Sequence, residues 1–168
     1  DKAYGFYDDG ERIAFFARAV LECIPHLPGF RPDVIHCNDW HTALTPVFLR
    51  AFHRDDPAFA GIKTVFTIHN LKFQGIYDRI CCGDLLGLSD DTACSLGLVQ
   101  DNTINYMRGA LCCADRLTTV SPTYADEICT DFYGEHMQEI FCARRGDLSG
   151  ILNGISYGRY SPRTDKAI

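Results

Sequence analysis

The amino-acid sequence predicts an α/β protein, a Rossmann-like parallel sheet with helices on both faces. Runs rich in β-branched and aromatic residues alternate with segments of helical periodicity along the 168 residues, the pattern of βαβ units. Right-handed crossovers between such strands carry the helices onto the sheet. Each strand-like run also ends in polar residues, and an open parallel sheet binds ligands at its carboxyl edge. There is no internal repeat, low-complexity tract or second domain.

The elements follow in order. Residues 9–24 place Ile13, Phe16, Ala17, Val20, Leu21 and Ile24 at helical spacing, with Asp8, Asp9 and Glu11 at the positive N-terminal end. Pro25, Pro28, Gly29 and Pro32 then stop the helix. Residues 33–37 read as a short buried strand and 41–54 as a helix, with Pro46 in the first turn where proline is tolerated. Residues 63–69 are the clearest strand. A long polar, glycine-containing stretch over 70–102 suggests short helices and function. Helix is expected at 103–114, strand at 116–120, helix at 122–129 and 136–144, and a last strand at 150–152.

Hydrophobic residues make up 46% and charged residues 23%, the balance of a globular domain. The formal charge of −6 argues against a nucleic-acid or anionic-membrane partner, and no apolar run of about 18 residues predicts a membrane span. The opening residues Asp1 to Tyr4 do not read as a signal peptide, but as a chain entered partway through a gene. Nine cysteines, with two adjacent pairs and no C-x-x-C, make a poor disulfide framework and a poor zinc site. A reducing, cytoplasmic setting is expected.

The four strand ends supply His36 to His41, His69-Asn70, Ser121-Pro122-Thr123 and Asn153-Gly154 to one edge. Such groups suit a hydroxyl-rich ligand, and Trp40 offers an apolar face to a sugar ring. Plainer roles stand beside these. Asp39 could cap the next helix, His69 could be a satisfied histidine, and Trp40 could be ordinary packing. The spacing of His36 and His41 matches no strong zinc motif, so no metal and no cofactor is expected. The nucleotide-binding glycine motifs and the serine-hydrolase elbow are missing.

Five ordered motifs resemble bacterial glycogen synthases and plant starch synthases. They are Tyr4-Gly5-Phe6-Tyr7-Asp8-Asp9-Gly10-Glu11-Arg12, His36-Cys37-Asn38-Asp39-Trp40-His41, and Phe66-Thr67-Ile68-His69-Asn70-Leu71-Lys72-Phe73-Gln74-Gly75. The stretches 114–125 and 146–155 complete the set. The resemblance implies a retaining glucosyltransferase of glycosyltransferase-B fold that moves glucose from ADP-glucose to the non-reducing 4-hydroxyl of an α-1,4-glucan. Residues 1–168 then form part of its N-terminal domain. It also implies that His69 binds the 6-hydroxyl of the transferred glucose, with its carbonyl near the anomeric carbon. Asn70 holds that turn, Asp39 and Trp40 line the acceptor side, and Asn153 contacts sugar hydroxyls.

The resemblance has departures. The K-x-G-G-L donor loop and the C-terminal domain, which grip the diphosphate, lie outside the sequence, so the chain alone is expected to be inactive. Phe73 stands where tyrosine is frequent, and the tail Ser156-Tyr157-Gly158-Arg159-Tyr160-Ser161-Pro162 replaces the usual D-x-x-x-W-[ND]-P. A carbohydrate-binding or regulatory module, and a neighbouring nucleotide-sugar enzyme such as one of sucrose synthesis, are the alternatives.

Overall fold

The structure, a computed structural model, describes residues 2, 4–158 and 160–163; Asp1, Ala3, Arg159 and the last five residues, touched by the readings of the start and the tail, lie outside them. Four strands build the main sheet: β1 (Val34–Asn38), β2 (Lys63–Ile68), β6 (Arg116–Thr119) and β7 (Leu148–Gly150). They are parallel throughout and lie side by side in chain order, β1-β2-β6-β7. The expected α/β architecture is present.

Helices α1 (Asp9–Cys23), α2 (Leu44–Phe52) and α5 (Tyr106–Cys113) pack in sequence, α1 on α2 and α2 on α5. They share one core with alternate strand residues Cys37, Phe66, Ile68, Leu117 and Leu148. Phe48 and Phe66 are fully buried, each contributing about 1.5–3 kcal/mol relative to exposure. The other face of the sheet carries His36, Asn38, Thr67, Thr118 and Ser149 and is half-buried to exposed. For this reason β1 alternates instead of being buried throughout as its sequence suggests: Val34 is 51% exposed and Cys37 2%.

The stretch after β2 is more ordered than its composition implies. It folds into β3 (Ile76–Asp78), β4 (Val99–Gln100) and β5 (Thr103–Asn105), an antiparallel sheet of order β3-β5-β4, with short helices α3 (Cys81–Asp84) and α4 (Asp90–Ser95) between β3 and β4. Residues 103–105, expected to open a helix, are therefore strand. The helix starts at Tyr106 because the Asn105 side chain caps it, accepting from Arg108 N–H at 3.0 Å. The helix expected from His41 likewise begins three residues later, after a 3₁₀ turn at Trp40–Thr42. The last strand lies two residues earlier than expected, since Leu148 is the buried residue that pairs with Leu117. Helices α6 (Pro122–Glu127) and α7 (Gln138–Ala143) link β6 to β7.

Candidate active-site corner

The β1–β2 end of the carboxyl edge is built around Asp39. Its backbone sits at φ 54°, where a residue with a Cβ is strained. The surroundings hold it there. Its N–H donates to Thr67 C=O at 2.9 Å, and its own carbonyl accepts from Thr42 N–H at 3.1 Å. The bent backbone turns the carboxylate across to the next strand end. Oδ1 accepts the N–H of His69 at 2.8 Å and of Asn70 at 3.3 Å. Asp39 is thus not the side-chain cap of the helix that follows it; it clamps the turn after β2.

His69 is exposed at the tip of β2, its ring Nε2 3.0 Å from Asn38 Oδ1. The Thr42 hydroxyl contacts both the N–H and the C=O of Asn38, at 2.5 and 2.8 Å, which ties the end of β1 to the 3₁₀ turn. Asn70 accepts from Lys72 N–H at 3.1 Å and so holds its own loop. His36 lies in a polar row on the sheet face, with Nε2 2.7 Å from Thr67 Oγ1 and that oxygen 2.5 Å from Thr118 Oγ1.

Trp40 is half-buried, its ring 4.4 Å from that of His41, and the Tyr4 ring lies 4.6 Å from His41 as well. The indole also packs on Gly75, where a Cβ would lie 2.6 Å from it. Gly75 has φ 66°, so both its backbone and its missing side chain are needed. Asp39, Trp40, His69 and Asn70 therefore form one connected corner. Asn153 does not join it. It is exposed beyond β7, and its side chain has no hydrogen-bond partner among the described residues.

Sequence reasoning missed what lies beneath the corner. The buried Gln74 amide donates to Glu135 C=O at 3.0 Å and accepts from Asn105 Nδ2 at 2.6 Å. Tyr106 and Met107 N–H groups donate to the carbonyls of Gly75 and Gln74. The loop that carries the Trp40 packing site is thereby fastened to α5. Tyr124 of α6 reaches the same region; burial pushes its hydroxyl pKa up, a backbone hydrogen bond from Leu71 opposes this, and the Glu135 and Asp39 carboxylates add to the rise. The glutamine and asparagine were visible in the sequence, but only the β3–β5 pairing brings them together.

A cavity of about 780 Å³ lies beside the corner, between the start of α1 and the 3₁₀ turn, lined by Tyr4, Asp8, Arg12, Phe16, His41 and Thr42. It is wide and apolar-walled. The corner carries the strained backbone and the convergent polar groups.

No cysteine is in a disulfide among the described residues. Burial pushes the Cys37 thiol up to about 11 and Cys113 up to about 12, which keeps both neutral and packed. No helix among those residues is long and apolar enough to cross a membrane.

The chain is 49% identical over its whole length to the glycogen synthase of Anoxybacillus flavithermus, and 49% identical to that of Lachnospira eligens. It spans only 34% and 35% of those two proteins. Among solved structures, the catalytic domain of starch synthase IV from Arabidopsis thaliana, bound to ADP and acarbose, superposes with a TM-score of 0.83 at 31% identity. That match covers 98% of this chain and 34% of the other. The starch synthase catalytic domain profile matches residues 1–143. With five motifs, the fold and the profile in agreement, the chain belongs to the starch synthase catalytic domain family.

Proposed function

We propose that this chain forms one wall of the active site of a glycogen or starch synthase, within the N-terminal domain of a glycosyltransferase-B enzyme. The reaction is retaining transfer of glucose from ADP-glucose to the non-reducing 4-hydroxyl of an α-1,4-glucan. The observation that carries the reading is the clamped turn: Asp39, itself strained, fixes the His69 and Asn70 amides at the carboxyl end of β2. A turn held before substrate arrives can present a carbonyl dipole to an anomeric carbon that gains positive charge, at no cost of reorganisation. His69 then takes the 6-hydroxyl of the glucose, Asp39 and Trp40 flank the acceptor, and Asn153 meets sugar hydroxyls from the far strand end. The ADP-bound and acarbose-bound starch synthase and the glycogen synthase relatives support both substrates.

The chain spans about a third of its relatives, so the donor-phosphate grip and the opposing domain belong to the rest of the polypeptide. The setting proposed is the cytoplasm.

Transfer of labelled glucose from ADP-glucose to maltooligosaccharide tests the reading. The full-length polypeptide should incorporate label, and the 168-residue chain alone should not. His69→Ala in the full-length protein should lower kcat by about 10²-fold or more while glucan binding changes little. Undiminished turnover in that variant would refute the role of the corner, and robust transfer by the isolated chain would refute the division of labour.

A further inference from the structure

We infer that Asn38 is a positioning residue that holds the His69 imidazole in its Nε2–H tautomer, leaving Nδ1 as a bare acceptor for a substrate hydroxyl. The inference rests on the glucosyl-transfer reading above and goes beyond it by assigning the direction of the hydrogen bond.

Asn38 is the last residue of β1, and its backbone is held from two sides. Its backbone lies in register with Thr67 on β2, and the Thr42 hydroxyl brackets its N–H and C=O. The His69 backbone is fixed independently by the Asp39 carboxylate. With both backbones held, the 3.0 Å approach of Asn38 Oδ1 to Nε2 orients the ring. The atom of Asn38 that faces Nε2 is the amide oxygen, which only accepts, so this arrangement calls for the hydrogen on Nε2. A neutral imidazole has one ring hydrogen, so Nδ1 keeps its lone pair. Among the described residues Nδ1 has no hydrogen-bond partner.

The choice of an amide has a chemical consequence. A carboxylate at this position would orient the ring too, but its charge would favour the imidazolium form. A cation beside a sugar carbon that is gaining positive charge would raise the barrier by like-charge repulsion. Asn38 supplies the orientation without the charge. The ligand hydroxyl must then donate its hydrogen to Nδ1. Its oxygen does not serve as the acceptor.

The test uses the full-length polypeptide with ¹⁵N-labelled histidine, the His69 signal being assigned by its loss in His69→Gln. The expected spectrum shows Nε2 protonated and Nδ1 bare. Asn38→Ala should give a mixture of tautomers, whereas Asn38→Asp, which keeps an acceptor of the same size, should retain the Nε2–H form when measured at a pH high enough to keep the ring neutral. In kinetics, the 6-deoxy and 6-fluoro analogues of ADP-glucose should be equally poor, because fluorine can accept a hydrogen bond but not donate one. Asn38→Ala should cut the preference for ADP-glucose over the 6-deoxy analogue by about tenfold, the value of one well-placed hydrogen bond. An Nδ1–H signal in the unmodified protein, or a 6-fluoro donor clearly better than the 6-deoxy one, overturns the inference while His69→Ala still abolishes turnover. Unchanged turnover in His69→Ala would instead bring down the functional reading and this inference together.

Discussion

Two aspartates do the same mechanical job at opposite ends of the sheet, and only one of them is strained. At the carboxyl edge, Asp39, just after β1, accepts the N–H groups of His69 and Asn70 beyond β2. At the amino edge, Asp115 before β6 accepts the N–H and hydroxyl of Thr64 on β2, at 2.8 and 2.9 Å. Both tie neighbouring strands through a carboxylate. Asp39 does so from φ 54°, a conformation that costs of order 1–3 kcal/mol, whereas Asp115 is not among the positive-φ residues. A stability clamp needs no such cost. The contrast agrees with the proposal that the Asp39 end is the working end and the Asp115 end scaffold.

The largest expected effect breaks the comparison at Asp39. In the full-length protein, Asp39→Ala should lower kcat by about 10²–10³-fold, since it frees the turn that carries His69. Its thermal stability should change much less, because relief of strain offsets part of the lost hydrogen bonds. A large fall in Tm with near-normal kcat would reverse the assignment. Next comes Gly75→Ala, whose added methyl meets the Trp40 ring and sits at a φ that alanine tolerates poorly. A loss of about 1–3 kcal/mol, read from denaturant unfolding, is expected there.

Asp115→Ala should leave turnover nearly unchanged and cost about 1 kcal/mol near neutral pH, a modest figure because its side chain is 35% exposed. Burial opposes ionisation of Asp115, but the Thr64 hydrogen bonds together with Lys63 and Arg50 outweigh it and hold the carboxyl below its ordinary range. A carboxylate held low contributes stability above its unfolded value of about 3.9, and loses it as pH falls through the lower folded value. The difference between wild type and Asp115→Ala should therefore narrow in acid, as unfolding measured across the acid range would show. Asn153→Ala is expected to have the smallest effect, within about twofold in kcat/KM, the size of a surface change of ~0.5 kcal/mol. A tenfold loss would show that the far strand end takes a larger part than its geometry suggests.

Much of the fold was legible because the strands of the main sheet are strongly patterned. Residues 63–69 read as strand from their β-branched and aromatic content, and the polar residues that follow each strand lie at the carboxyl edge of the sheet. The small antiparallel sheet was hidden: Val99–Gln100 and Thr103–Asn105 are too short to show a period, and their pairing depends on a turn at Asp101, with φ 53°. The site was half legible. His69, Asp39 and Trp40 were named from their places after strands, but that Asp39 grips a backbone, rather than capping its own helix, depends on a dihedral angle that no residue type announces. Gln74 and Asn105 lie 31 residues apart and meet only through tertiary pairing.

The strand order has a consequence for how the domain is made. Since β1, β2, β6 and β7 lie in the sheet in the order in which they are synthesised, each strand leaving the ribosome finds its partner already in place. Among the described strands, none must be parted to admit a later one. The one long pause falls between Ile68 and Arg116, while the β3-β5-β4 sheet and α5 are still being translated. During that interval Phe66 and Ile68 lack the part of their core that Tyr106, Met107 and Leu111 of α5 supply. This window is where a chaperone would have most to protect, and where slow translation would most favour correct assembly.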